Sequence, residues 1–202
     1  MKLITLTGLG LIALIAACSP ANKDAADDQD QLDQDQITLD ENASPAEKNL
    51  AAGTAFLEQN KKKRGIKVTD SGLQYKVLTS GPKGGEHPFS GQFVCVNYQG
   101  TSLDGKEFDS SYKRGVPAVF PSNRLVKGWV EALSIMRPGD EWMLYIAPEL
   151  AYGRNGTMGG PIGPNETLVF KINLIKLMDL SMDEYRSTYA ANPALDCSKS
   201  EG

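Results

Sequence analysis

Two periods of hydrophobic and polar residues divide the chain. Leu73, Tyr75 and Val77 alternate with Gln74 and Lys76, and Val94, Val96 and Tyr98 alternate with Cys95 and Asn97. Successive side chains of a strand point to opposite faces, so this spacing predicts half-buried strands. Trp142, Leu144 and Ile146 continue the pattern after the turn signal Pro138-Gly139, and Leu168, Phe170, Ile172 and Leu174 define a last long strand. Asp104-Gly105, between Tyr98-Gln99-Gly100 and Glu107-Phe108-Asp109, predicts a hairpin. Midway the period changes: Val126, Trp129, Val130 and Leu133 fall at i, i+3, i+4 and i+7, the apolar stripe of one helix. Strands on both sides of a single helix predict an α+β domain over residues 66–180, an antiparallel sheet wrapped on one short amphipathic helix.

Upstream, Ser44-Pro45-Ala46-Glu47 combines a capping Ser, a Pro at the first helical position and a Glu three residues after the cap. The basic run Lys61-Lys62-Lys63-Arg64 suits the carbonyl end of that helix and Gly65 its stop, which predicts a helix over 44–65. Leu50, Phe56 and Leu57 give it a modest apolar face, able to dock on the domain or on a second copy of the chain. Between Ser19 and Gln36 stand six Asp and four Gln with one Leu and no aromatic residue, so residues 18–43 are expected to be an acidic, disordered tether. Residues 181–202 read as a C-terminal tail.

The first residues concern destination. Lys2 precedes an apolar run from Leu3 to Ala17, fifteen residues against the ~20 that a membrane-crossing helix needs, so 1–17 read as a signal peptide. The run closes on Leu14-Ile15-Ala16-Ala17-Cys18, which resembles the bacterial lipobox and implies lipidation at Cys18. Ser19 in place of Asp implies, by resemblance to Gram-negative lipoproteins, an outer-membrane lipoprotein facing the periplasm. Its contact with the membrane is through the lipid anchor only.

Composition removes several kinds of chemistry. The 202 residues are 41% hydrophobic, ample for one packed core, and 21 Lys plus Arg against 25 Asp plus Glu leave a net charge of −4, the wrong sign for nucleic acid. Three cysteines and one histidine form no metal-ligand set, so neither a metal nor a cofactor is expected. His87 lies in Gly84-Gly85-Glu86-His87-Pro88, a turn, where it reads as a solvated loop residue. The Gly-rich segment 153–163 lacks the order of a phosphate-binding loop and reads as a rim. Cys95, an odd number of residues from Tyr98, points to the opposite face of its strand; in an oxidising compartment it is either bridged to Cys197, which pins the tail to the sheet, or one of two free thiols.

Several motifs stand in one order. Val94-Cys95-Val96-Asn97-Tyr98-Gln99-Gly100, Leu103-Asp104-Gly105, Phe108-Asp109-Ser110-Ser111, Val126-Lys127-Gly128-Trp129, Leu150-Ala151-Tyr152-Gly153, Pro164-Asn165 and Leu168-Val169-Phe170 resemble the macrolide-binding, FKBP-type peptidyl-prolyl isomerases across residues 65–180. Ser71-Gly72-Leu73-Gln74-Tyr75 and the preceding helix are similar to the bacterial branch that includes macrophage infectivity potentiators, and imply a monomer or a homodimer. The resemblance implies isomerisation of X-Pro bonds in proline-containing polypeptides, inhibition by rapamycin-like macrolides, and a pocket of ten residues. Trp129 would be its floor, Tyr98, Phe108 and Phe170 its walls, with Phe120, Leu125 and Ile162 beside them. Val126 would offer its N–H and Tyr152 its hydroxyl to substrate carbonyls, and Asp109, bonded to Tyr98, would face the twisting amide. Gly163 and Pro161 depart from the family's rim and bear on substrate preference. The competing reading is a periplasmic holdase-type chaperone that uses the same cleft with little turnover.

Overall fold

A computed structural model describes residues 42–192 and 196–198. The signal peptide, Cys18 and the tether up to residue 41 lie outside the described residues. Helix α1 (Pro45–Asn60) starts where its capping signals stand, with Glu47 N–H donating to Ser44 Oγ and Ser44 N–H to Glu47 Oε2. It ends five residues before Gly65. Asn60 is buried and its side-chain amide donates to Gln74 Oε1 at 3.0 Å, while Gln74 Nε2 donates to the Leu57 carbonyl at 2.9 Å. That polar lock sits where the helix stops, and the basic run occupies turns instead of the last helical turn. Gly65, at φ +85°, turns the chain into β1.

The strands β1 (Ile66–Val68), β2 (Gln74–Thr79), β3 (Phe93–Thr101), β4 (Glu107–Ser110), β5 (Ala118–Pro121), β6 (Glu141–Ile146) and β7 (Leu168–Met178) form one antiparallel sheet in the order β1-β2-β6-β7-β3-β4, with β5 also on β3. Strands β3 and β4 are the hairpin expected around Asp104-Gly105. The single turn α2 (Ser111–Arg114) separates β4 from β5, and α3 (Lys127–Ile135) lies against the sheet. Trp129, Ala132 and Leu133 of α3 and Met136 after it are buried against Val94, Val96, Leu144, Ile146, Leu168, Ile172 and Leu174. Val130, expected on the same stripe, is only half-buried. Gly128 permits this approach, since a Cβ there would lie 2.7 Å from Ile146 Cγ2. Each Leu, Ile or Val fully withdrawn from water contributes roughly 1.5–3 kcal/mol, so this face supplies much of the drive to fold.

Helix α1 docks differently from the expectation. Leu50 remains 42% exposed, and the buried positions are Gly53 and Asn60. A Cβ at Gly53 would lie 2.2 Å from Thr167 Oγ1, so only glycine lets the helix lie this close. Asn49 Nδ2 donates to the Pro164 carbonyl, Asn165 Nδ2 to the Ala46 carbonyl, and Phe56 meets the Tyr145 ring at 5.8 Å.

The reverse face of β3 is not left to water either. Phe93 and Cys95 point away from α3 and are covered by a second cluster that includes Val119, Met178, Tyr189 and Cys197. Helix α4 (Met182–Tyr185), continued by a π-helical turn (Arg186–Ala190), brings Tyr185 onto the Phe93 ring at 4.7 Å. Cys95 and Cys197 are joined by a disulfide across 102 residues of sequence. Both faces of β3 are therefore covered, which is why Cys95 has no exposed surface on a strand whose pattern reads as half-buried.

A cross-link closing so long a loop removes much of the freedom of the unfolded chain, commonly about 2–4 kcal/mol of stability. Cys197→Ser is expected to lower the unfolding free energy by that amount in a urea titration. Thiol counting on the denatured, unreduced protein should find neither Cys95 nor Cys197.

Candidate functional site

The rings that converge on α3 come from separate strands: Tyr98 from β3, Phe108 from β4, Phe120 from β5 and Phe170 from β7. Trp129, in the first turn of α3 and 4% exposed, meets Tyr98 at 5.3 Å, Phe120 at 6.2 Å and Phe170 at 5.2 Å, at interplanar angles of 84°, 87° and 90°. Three rings standing perpendicular to one indole leave its flat face as a base and theirs as walls, an arrangement the aromatic quadrupole favours. Phe108 stands edge-on to Phe170 at 5.5 Å. Gly100 makes room for that pair, because a Cβ there would meet both rings at 2.6 Å.

The polar side is built by one helical turn. Ser110 Oγ accepts the Lys113 N–H to start α2, Gly115 closes it at φ +78°, and Arg114 is turned back over β3. Ser111 Oγ accepts the Tyr98 N–H at 2.9 Å and donates to Asn97 Oδ1, filling the gap in the sheet between β4 and β5. Tyr98 OH donates to Asp109 Oδ2 at 2.5 Å, and Arg114 donates to Asp109 Oδ1 at 2.5 Å and to Tyr98 OH at 2.8 Å. The guanidinium carbon also lies 5.3 Å from the Tyr98 ring centre. Burial, reinforced by the bond to Asp109, pushes the Tyr98 phenol up to about 12. Burial and the Asp109 charge raise Tyr152 as well.

These elements enclose a cavity of about 620 Å³ that touches all ten residues expected from the sequence: Tyr98, Phe108, Asp109, Phe120, Leu125, Val126, Trp129, Tyr152, Ile162 and Phe170. Tyr152 stands between two 3-10 turns, Pro148–Leu150 and Gly153–Asn155, and is 42% exposed. The rim beyond it is pinched shut by Thr157, whose N–H donates to the Ile162 carbonyl and whose Oγ1 accepts the Ile162 N–H. Thr157 and Pro161 line the cavity from the Gly-rich segment that reads as a rim, Arg124 lines it without any signal in the sequence, and Arg114 is not singled out by the sequence at all. Ser110 and Gly115, a capping residue and a left-handed stop five apart, are the signal that would have revealed its turn. His87 is exposed on a loop, its Nδ1 2.9 Å from the Met136 carbonyl, and does not line the cavity.

The chemistry this arrangement permits is non-covalent. The cavity has room for an apolar ring against the indole, with the Asp109 carboxylate, the Tyr152 hydroxyl and the start of α3 around that space. Among the described residues no group of His, Cys, Asp and Glu is placed to hold a metal ion, and no helix is long and apolar enough to cross a membrane.

Comparison with known proteins gives concordant results. The family model for the FKBP-type peptidyl-prolyl cis-trans isomerase matches residues 84–175, and that for the domain amino-terminal to such isomerases matches residues 10–77. The peptidyl-prolyl cis-trans isomerase Mip of Coxiella burnetii is 51% identical over 129 residues, 64% of this chain and 55% of that protein. The outer membrane protein MIP of Legionella longbeachae is 49% identical over 132 residues, 65% of this chain and 55% of its own. The chain thus spans about half the length of these curated relatives. Among solved structures, FkpA from Escherichia coli superposes with a TM-score of 0.61 at 43% identity, covering 65% of this chain and 60% of that one. A peptidyl-prolyl cis-trans isomerase from Pseudomonas syringae does so with 0.61 at 36% identity, covering 68% and 98%.

The raised Tyr98 phenol has a consequence at high pH. Below about 10, the ordinary tyrosine value, folded and unfolded chains both keep the proton. Between there and about 12 the unfolded chain has lost it and the folded chain has not, so stability falls as pH rises through this window. Alkaline titration followed by phenolate absorbance should show one tyrosine ionising near about 12, and Tyr98→Phe should remove that step together with its share of the alkaline loss of stability.

Proposed function

The chain belongs to the FKBP-type peptidyl-prolyl cis-trans isomerases, and from that premise we propose that it turns X-Pro bonds in polypeptides of the cell envelope, assisting their folding. The observation that carries this reading is the cavity whose floor is the Trp129 indole and whose wall holds Asp109 by two partners.

Rotation about an X-Pro bond breaks no covalent bond; the obstacle is amide resonance, a barrier of ~18–20 kcal/mol. As the bond twists, the nitrogen becomes pyramidal and the carbonyl loses its conjugation. A water-poor cavity that accommodates this state better than the planar imide lowers the barrier by the difference in binding. Trp129 supports the proline ring and Tyr98, Phe108 and Phe170 exclude water. The Val126 N–H and the Tyr152 hydroxyl fix substrate carbonyls, and Asp109, held by Tyr98 and Arg114, faces the twisting amide. A millionfold acceleration requires ~8 kcal/mol in all, within reach of shape, desolvation and a few oriented hydrogen bonds. Rapamycin-like macrolides would fill the same cavity.

The setting follows from the same reading. The Cys95–Cys197 bridge suits an oxidising compartment, and a relative bears the name outer membrane protein. A signal peptide ending at Ala17 and acyl chains on Cys18 would tie the protein to the outer membrane, facing the periplasm. Intact-mass analysis of protein extracted from membranes should show added acyl mass on a chain that begins at Cys18; an unmodified terminus elsewhere would remove the anchor from this scheme.

An isomerisation assay on a prolyl peptide, with rapamycin as competitor, tests the activity. Asp109→Ala and Trp129→Ala are each expected to lower kcat/KM by about tenfold or more, ~1.4 kcal/mol. Asp109→Asn keeps the size of the side chain while removing its charge, and its melting temperature should move little, since the Arg114 pair is partly exposed. His87→Ala should leave the rate unchanged. Wild-type rates in folded Asp109→Ala and Trp129→Ala would place the site elsewhere, and peptide binding without any acceleration would favour the holdase reading.

A further inference from the structure

We propose that Arg124 selects, at the mouth of the cavity, polypeptides with a carboxylate side chain next to the proline, an inference that rests on the isomerase reading above. Two charged residues line the cavity, Asp109 and Arg124. The Asp109 carboxylate is already occupied by Arg114 and Tyr98, so that pair presents no net charge to a substrate. Arg124 is exposed, and among the described residues no carboxylate lies within ion-pair distance of it. Its backbone N–H donates to the Pro121 carbonyl at 3.1 Å, which fixes the turn after β5 from which the side chain leaves.

The nearest charge along the chain has the same sign. Lys127 is exposed at the first position of α3, and the first turn of that helix holds no acidic residue to offset it. The net charge of −4 comes from residues 1–41, with two Lys against eight Asp plus Glu. Residues 42–202 carry 19 Lys plus Arg against 17 Asp plus Glu, so Arg124 and Lys127 belong to a part of the chain that is itself slightly positive. Distance favours the action of Arg124 on a bound peptide. A cavity of about 620 Å³ is about 11 Å across if taken as a sphere, comparable with the ~8 Å over which salt screens charges at physiological ionic strength. A Glu or Asp flanking the bound proline therefore falls within reach of Arg124, and a Lys or Arg there is opposed. Solvent exposure keeps the effect modest, about two- to fivefold in kcat/KM, as for other exposed ion pairs.

The experiment uses the full chain and two sets of peptides, one with Glu, Gln or Lys immediately before the proline and one with the same residues immediately after it. In the unmodified protein the ratio of kcat/KM for the Glu peptide to that for the Lys peptide should be about two to five in at least one set, and should shrink as salt is raised. Arg124→Gln should bring that ratio close to one, Arg124→Glu should invert it, and Arg124→Lys should retain it. A ratio near one in the unmodified chain, or one that Arg124→Gln and Arg124→Glu leave in place, overturns the proposal while leaving the isomerase reading intact. Failure of the unmodified chain to accelerate even the Gln peptides overturns the isomerase reading, and this proposal with it.

Discussion

Strand β3 is hydrogen-bonded to β7 along one edge and to β5 and then β4 along the other, so a slip of one residue would exchange its two faces. One face gives Val94 and Val96 to the core and Tyr98 to the cavity; the other gives Phe93 and Cys95 to the C-terminal cluster. The aromatic walls depend on this register. Gly100 must stand where Phe108 and Phe170 meet, and Asp109 is paired across from it. The position of Asp109 relative to the Tyr98 hydroxyl is thus set by the same ladder that holds the sheet together.

The parts of the fold that were legible in the chain are those governed by local period. Alternation at Trp142, Leu144 and Ile146, the stripe through Trp129 and Leu133, and the Asp104-Gly105 turn each state their structure within a few residues. The ten cavity residues needed more: their types and order matched a family pattern, whereas their convergence from four strands, a helix and the loops between them has no signature in any one segment. What stayed illegible depends on contacts distant in sequence. The end of α1 is decided by Asn60 meeting Gln74, so Gly65 and the basic run before it gave a stop signal that tertiary structure did not use. Arg114 acquires its role only because one turn of helix folds it back onto Tyr98, sixteen residues earlier in the chain.

Helix α1 shows a different balance of forces from α3. The inner helix is held by apolar burial around Trp129, Ala132 and Leu133. The outer one is held by a close glycine contact, side-chain amides and a single ring pair. Hydrogen bonds between neutral groups contribute about 0.5–1.5 kcal/mol each, less than a buried aliphatic side chain. The partners of α1 include Pro164 and Asn165, close in sequence to the rim residue Ile162, so this lightly held helix buttresses the edge of the cavity.

The covalent topology gives the cavity a further property. Its ten expected residues run from Tyr98 to Phe170, wholly inside the ring closed by Cys95 and Cys197. The exposed tip of the rim at Met158 lies in the same ring. A protease that cuts once at that tip produces two polypeptides still joined through sulfur, with strands from both fragments still contributing to one sheet. A nick in this loop would therefore be invisible on an unreduced gel, and the severed protein would keep every residue of its site within one molecule.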